Sequence, residues 1–244
     1  MSRTSRIWAC AKAGGYGHGI DSVIRGFANA DGLALLEIEE AYEARHLGWN
    51  KPLLLLEGVF HKRELVETEN LKLEVVIHNE EQLDWCIDFD GQFTGIWIKI
   101  NSGMNRLGFD TNSMNQEKIK KIVEKLNLLR TKILNKNGLR WLTHFSRADV
   151  SDGCNMPAKI FKKSLISLEY RIGEQVSYSN SAALITHPRF NSDWVRPGIL
   201  LYGAPNSNTP SSEINKITQT LFPTQKLSTQ IVGIQSIKKN QYVG

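Results

Sequence analysis

Short apolar runs suited to buried strands alternate along most of this chain with segments suited to helices. That alternation constrains the fold most strongly, because strand–helix repeats build parallel sheets joined by crossover helices. The strand-like runs are residues 7–12, 33–38, 52–56, 74–78, 95–100, 139–145, 176–180 and 194–202. Helices are predicted over 21–30, with Asp21 as N-cap, over 39–47, closed by Gly48, and over 61–67, 80–87, 157–168 and 181–186. Another follows Ser113 and Gln116, which have capping-box spacing, and buries one face through Ile119, Ile122, Val123, Leu126 and Leu129. Eight such units in about 200 residues fit a TIM-like (β/α)8 barrel near the short end of its size range. A doubly wound sheet has the same periodicity and stays open as the alternative.

Residues 204–228 are polar, contain Pro205, Pro210 and Pro223, and read as a linker. Residues 227–237 then look like a strand of another element. The expected layout is a barrel domain over 1–203, a linker over 204–228, and over 229–244 the beginning of a C-terminal β domain truncated at Gly244.

Composition narrows the function classes. At 41% hydrophobic and 23% charged residues, the chain reads as soluble and globular. A net charge of +5 permits an acidic partner, but no basic stripe interleaved with aromatics points to nucleic acid. Cys10, Cys86 and Cys154 have no metal-ligand spacing, so no metal is expected and the thiols read as reduced. With no signal-peptide pattern and no apolar stretch of membrane-spanning length, the expectation is a cytoplasmic protein with no membrane partner.

In a (β/α)8 barrel, functional groups lie just past the C-terminal strand ends. Lys12 ends the first strand-like run and leads into a glycine-rich turn carrying Tyr16 and His18. Burying an ammonium lowers its pKa and favours the nucleophilic amine, although Lys12 alone reads better as a lysine that leaves the strand for water. Lys99 and Arg106 belong to the fifth strand end, His144 to the sixth, Ser181 to the seventh, and Arg196, Gly198 and Ile199 to the eighth. Singly, Ser181 is an ordinary helix cap, His144 a satisfied core histidine, and Arg106 and Arg196 surface ion-pair partners. Jointly, a lysine, a phosphate seat and two arginines at one barrel end match what a pyridoxal 5'-phosphate enzyme needs.

Five stretches extend the pattern. They are 12–19 (Lys-Ala-Gly-Gly-Tyr-Gly-His-Gly), 99–109 (Lys-Ile-Asn-Ser-Gly-Met-Asn-Arg-Leu-Gly-Phe), 143–149 (Thr-His-Phe-Ser-Arg-Ala-Asp), 180–183 (Asn-Ser-Ala-Ala) and 195–203 (Val-Arg-Pro-Gly-Ile-Leu-Leu-Tyr-Gly). In this order they resemble the motifs of alanine racemases of the proteobacterial biosynthetic type, truncated at both ends. The resemblance implies a homodimer that interconverts L-alanine and D-alanine for peptidoglycan synthesis. It implies that Lys12 carries the cofactor as a Schiff base and acts as the base on the D-alanine side. Tyr16, Ser181, Gly198 and Ile199 would hold the phosphate, and Arg196, supported by His144, would face the pyridine nitrogen. Arg106 would contact the cofactor's phenolic oxygen and the substrate carboxylate, oriented by Lys99, which is carbamylated in many relatives.

The second base is, by the same resemblance, a tyrosine of the C-terminal domain acting across the dimer. Its expected absence here leaves an inactive, vestigial cofactor-binding fragment as an alternative. A basic amino-acid decarboxylase on the same fold would carry a glutamate where Arg196 stands. Gly14 and Asn101 depart from the asparagine and aspartate usual at those places.

Overall fold

The computed structural model describes residues 5–134, 138–204 and 212–242. Eight parallel strands close into a barrel: β1 (Arg6–Cys10), β2 (Gly32–Leu35), β3 (Leu53–Leu55), β4 (Leu73–Ile77), β5 (Gly95–Lys99), β6 (Arg140–Leu142), β7 (Val176–Asn180) and β8 (Trp194–Arg196). Each strand pairs with the next, and β1 also pairs with β8 through Arg6 opposite Trp194 and Ile7 opposite Val195. A doubly wound sheet has two free edges. This one has none, so the barrel reading holds.

Side-chain parity divides the core in two. Trp8, Cys10, Ala34, Leu54, Val76, Trp97, Leu142 and Trp194 form one cluster, the barrel interior. Their strand neighbours, such as Ala9, Leu33, Leu53, Val75 and Ile98, belong to the cluster shared with the helices. This is the period-two alternation of a strand buried on both faces. Trp8 stacks on Trp194 with ring centroids 4.4 Å apart, and Trp97 meets both edge-on. Below them Arg140 pairs with Glu74, whose carboxylate also accepts from Trp97 Nε1 at 2.7 Å.

Several element ends differ from expectation for local reasons. Helix Ile20–Gly26 begins after Gly19, so Asp21 is inside the first turn and pairs with Arg25 at 2.7 Å. Helix Gln116–Arg130 is capped by Asn115, which accepts from the Lys118 N–H at 2.8 Å. Ser113 instead donates to the Asp110 carbonyl at 2.9 Å. Asparagine immediately before the first helical residue is the better placed cap. The eighth strand stops at Arg196, because Pro197 has no N–H to continue the ladder, and Ile199–Tyr202 forms a 3-10 turn.

After the barrel, the segment read as a linker contains helix Ser212–Gln219, while Pro205 and Pro210 lie outside the described residues. The strand expected over 227–237 is not formed. Leu227, Ile231, Val232 and Ile234 are all at least 81% exposed. A closed barrel offers no edge for a ninth strand, and a lone strand cannot bury its own apolar side chains.

Candidate active site

At the C-terminal end of the strands lies a cleft of about 340 Å³. Lys12, Tyr16, Lys99, Arg106, His144, Ser181, Arg196, Gly198 and Ile199 all line it. Every site residue expected from the sequence therefore meets in one place.

Lys12 follows the last ladder bond of the first strand, from the Ala11 N–H to the Ala34 carbonyl at 2.8 Å. It is half-buried, with Nζ 5.9 Å from the Tyr16 ring centroid. The next residues form a single left-handed turn. Ala13, Gly14, Gly15 and Tyr16 have φ of +53°, +57°, +63° and +55°. Residues other than glycine are strained there by roughly 1–2 kcal/mol each, so Ala13 and Tyr16 hold this shape only because their surroundings enforce it. Backbone bonds from Gly15 to Ala11, Gly17 to Ala13 and Gly19 to Gly14 tie the turn together at 2.8–3.0 Å. The buried Glu40 carboxylate accepts the Gly14 N–H at 2.7 Å. Gly14 has no atom within 4 Å of where its Cβ would be, so the positive φ and not a lack of space favours glycine there.

The turn brings the Tyr16 hydroxyl onto Gly198, where a Cβ would come within 2.5 Å of it. Burial pushes the Tyr16 phenol up to about 12, so it stays protonated. Ser181 Oγ accepts the Gly198 N–H at 2.8 Å and the Leu200 N–H at 3.3 Å. Ser181 is not the cap of its helix. Asn180 does that work, accepting the Ala183 N–H at 3.0 Å, which leaves the serine to the cleft.

Arg196 is 5% exposed. Its terminal nitrogens donate to Ser177 Oγ and the carbonyls of Thr143 and Tyr178, which fixes the guanidinium plane. Burial pushes it down to about 10, and it remains a cation at neutral pH. His144 does not bond it directly: its Nε2 lies 3.4 Å from Asn180 Nδ2. Burial, then the positive charges of Arg196, Arg106, Lys99 and Lys12, push His144 down to about 3, so the ring is neutral. Lys99 is 8% exposed and is pushed down to about 8 by burial, Arg196 and Arg106, with Glu57 opposing. Arg106 is exposed at the rim, on a loop shaped by Asn101. Asn101 Oδ1 accepts from the Gly103 and Asn105 N–H groups at 3.0 Å, as an aspartate could. Its Nδ2 adds a bond to Asn105 Oδ1 at 3.0 Å, which an aspartate could not.

The sequence reading missed Glu57 and Cys10. Glu57, just past β3, is the one carboxylate among the described residues lining the cleft, and the strand-end rule would have found it. Cys10 points into the barrel beneath the cleft, where burial pushes its thiol up to about 11. Among the described residues no cluster suits a metal ion, and no helix is long and apolar enough to cross a membrane.

Residues 1–206 match the family described as alanine racemase, N-terminal domain. The chain is 38% identical over 242 residues to an alanine racemase of Erwinia tasmaniensis, covering 98% of this chain and 63% of that protein. It is 36% identical to a catabolic alanine racemase of Salmonella typhimurium, again covering 98% and 63%. Among solved structures, the biosynthetic alanine racemase from Pseudomonas aeruginosa superposes with a TM-score of 0.73 at 32% identity, covering 90% of this chain and 57% of that one. The chain thus spans a little under two thirds of the relatives it matches. A match running through every strand of the barrel and the nine cleft residues expected from the sequence shows that this chain belongs to the alanine racemase family.

Proposed function

We propose that this chain is the cofactor-bearing barrel of a pyridoxal 5'-phosphate-dependent alanine racemase acting on L- and D-alanine. The observation that supports it best is the single cleft where Lys12, Lys99, Arg106 and Arg196 face one carboxylate, Glu57. So cationic a cavity suits a phosphate dianion and a substrate carboxylate together. Glycine at 198 lets the Tyr16 hydroxyl close onto the backbone, and Ser181, whose Oγ accepts the Gly198 N–H, keeps its own hydroxyl proton to donate to an anion there.

When bound, the cofactor supplies an electron-withdrawing ring conjugated to the substrate's α-carbon, which makes the α-proton removable. Lys12 Nζ anchors it and takes or returns the proton on the D-alanine face. Tyr16, Ser181, Gly198 and Ile199 hold the phosphate. Arg196 donates toward the ring nitrogen and yields no proton to it at neutral pH, which keeps the electron sink weak and limits side reactions. His144, being neutral, adds no charge beside Arg196. Arg106 binds the substrate carboxylate. Lys99 has an amine fraction near neutral pH able to take up carbon dioxide, and its carbamate would orient Arg106. The base for the opposite face is assigned to no residue of this chain; a homodimer with a C-terminal domain would supply it.

Addition of pyridoxal phosphate to the full chain should give a visible absorbance band that borohydride abolishes, with the label mapping to Lys12. Lys12→Ala should lose the band; normal retention by that variant would overturn the assignment. Among the described residues no tyrosine but Tyr16 lines the cleft, which favours a second reading of a barrel that binds cofactor without racemising. Racemisation by this chain alone should fall roughly 10²–10⁴-fold below that measured after adding a relative's C-terminal domain. Equal rates would refute the missing base.

A further inference from the structure

We infer that His18, working through Tyr202, is a positioning residue that holds the left-handed turn closed under the cofactor lysine. The inference rests on the reading that Lys12 binds the cofactor. His18 Nδ1 lies 2.9 Å from the Gly15 carbonyl. A carbonyl only accepts, so Nδ1 carries a proton and donates it to Gly15. Nε2 lies 2.9 Å from Thr224 Oγ1, whose hydroxyl also reaches the Tyr202 carbonyl at 3.1 Å. The Tyr202 carbonyl keeps the Thr224 N–H at 3.2 Å.

The ring also has an aromatic contact. His18 packs on Tyr202 with centroids 4.9 Å apart, and Tyr202 packs on Tyr16 at 4.8 Å. The Tyr202 hydroxyl donates to the Cys10 carbonyl at 3.0 Å, reaching back to the end of β1. The pin therefore runs from β1, through the tilted ring contacts Tyr16–Tyr202–His18, to the chain beyond the barrel. It seizes the turn at Gly15, between the two strained residues Ala13 and Tyr16. Without it, those residues relax toward ordinary φ, Tyr16 leaves Gly198, and Lys12 loses its register with the phosphate seat.

His18→Phe keeps an aromatic ring on Tyr202 and removes both nitrogens. In the cofactor-free chain, hydrogen exchange over residues 13–17 should quicken about tenfold, the worth of one net hydrogen bond, while β4 to β6 keep wild-type protection. The dissociation constant for pyridoxal phosphate, read from the visible band, should rise about as much. Adding Ala13→Gly, which removes strain at a positive φ, should restore affinity toward the wild-type value. Unchanged exchange in the turn, or no rescue by Ala13→Gly, overturns the inference. If His18→Phe fails to fold, Thr224→Val, which removes the hydroxyl's bonds to His18 and the Tyr202 carbonyl, must still quicken exchange in the same five residues; wild-type exchange there overturns it. Failure of the wild-type chain to take up pyridoxal phosphate would refute the cofactor reading instead, and the exchange result would still decide the pin.

Discussion

Lys99 shows how one buried charge makes stability depend on pH. Its ammonium, at the end of β5, is held near pKa 8 against an ordinary 10.5, chiefly by burial. Between those values the unfolded chain holds more protons than the folded one, so this group's contribution to stability rises with pH through that window. Below the window its full penalty is present. Lys99→Met should therefore raise the unfolding midpoint of the cofactor-free chain at neutral pH and flatten the alkaline rise. Denaturant titrations at neutral pH and near the upper end of the window test this, and an unchanged slope would count against it. Ser181→Ala removes the acceptor for the Gly198 and Leu200 N–H groups. Its pyridoxal phosphate affinity, read from the visible band, should fall about tenfold without loss of fold.

At the level of elements, the two ends of the barrel do different work. The Glu74–Arg140 pair, with side chains 5% and 4% exposed, lies inside the barrel at the N-terminal strand ends, away from the cleft. Arg140→Met leaves a buried carboxylate whose one remaining partner among the described residues is Trp97, and should cost about 3–5 kcal/mol. Adding Glu74→Leu should recover part of that loss, as equilibrium unfolding of the three proteins would show. Pyridoxal phosphate affinity should be the same in all of them. The strand–helix order and nine of the cleft residues were legible because period-two runs and strand-end positions leave marks in sequence. The left-handed turn was not. Gly14 and Gly15 advertise permission for positive φ, but no local propensity says that Ala13 and Tyr16 join them, since Glu40 and Tyr202 act from elsewhere in the chain and the His18 bond to Gly15 exists only once the turn has formed. Helix caps were misread where two candidates competed within a few residues, as Ser113 and Asn115 did.

For the whole molecule, ring closure decides what can attach. Residues 227–237 have the composition of a strand and no edge to join, so their apolar side chains stay in water. A chain ending at Gln225, which keeps Thr224 on His18, should unfold at the same temperature as the full chain and aggregate less. Calorimetry and light scattering test both halves of that statement. The seam between β1 and β8 carries one more consequence, for folding. Lys12 follows the first strand and Arg196 ends the last, and Cys10 Sγ meets the Arg196 carbonyl across 186 residues of chain. Contacts so distant in sequence bear the largest loop-closure entropy and form late. The cleft therefore does not exist in any partly wound ring. It comes into being when the two chain-distant strands zip, so a ligand that touches both acts as a clasp on the seam and slows its reopening.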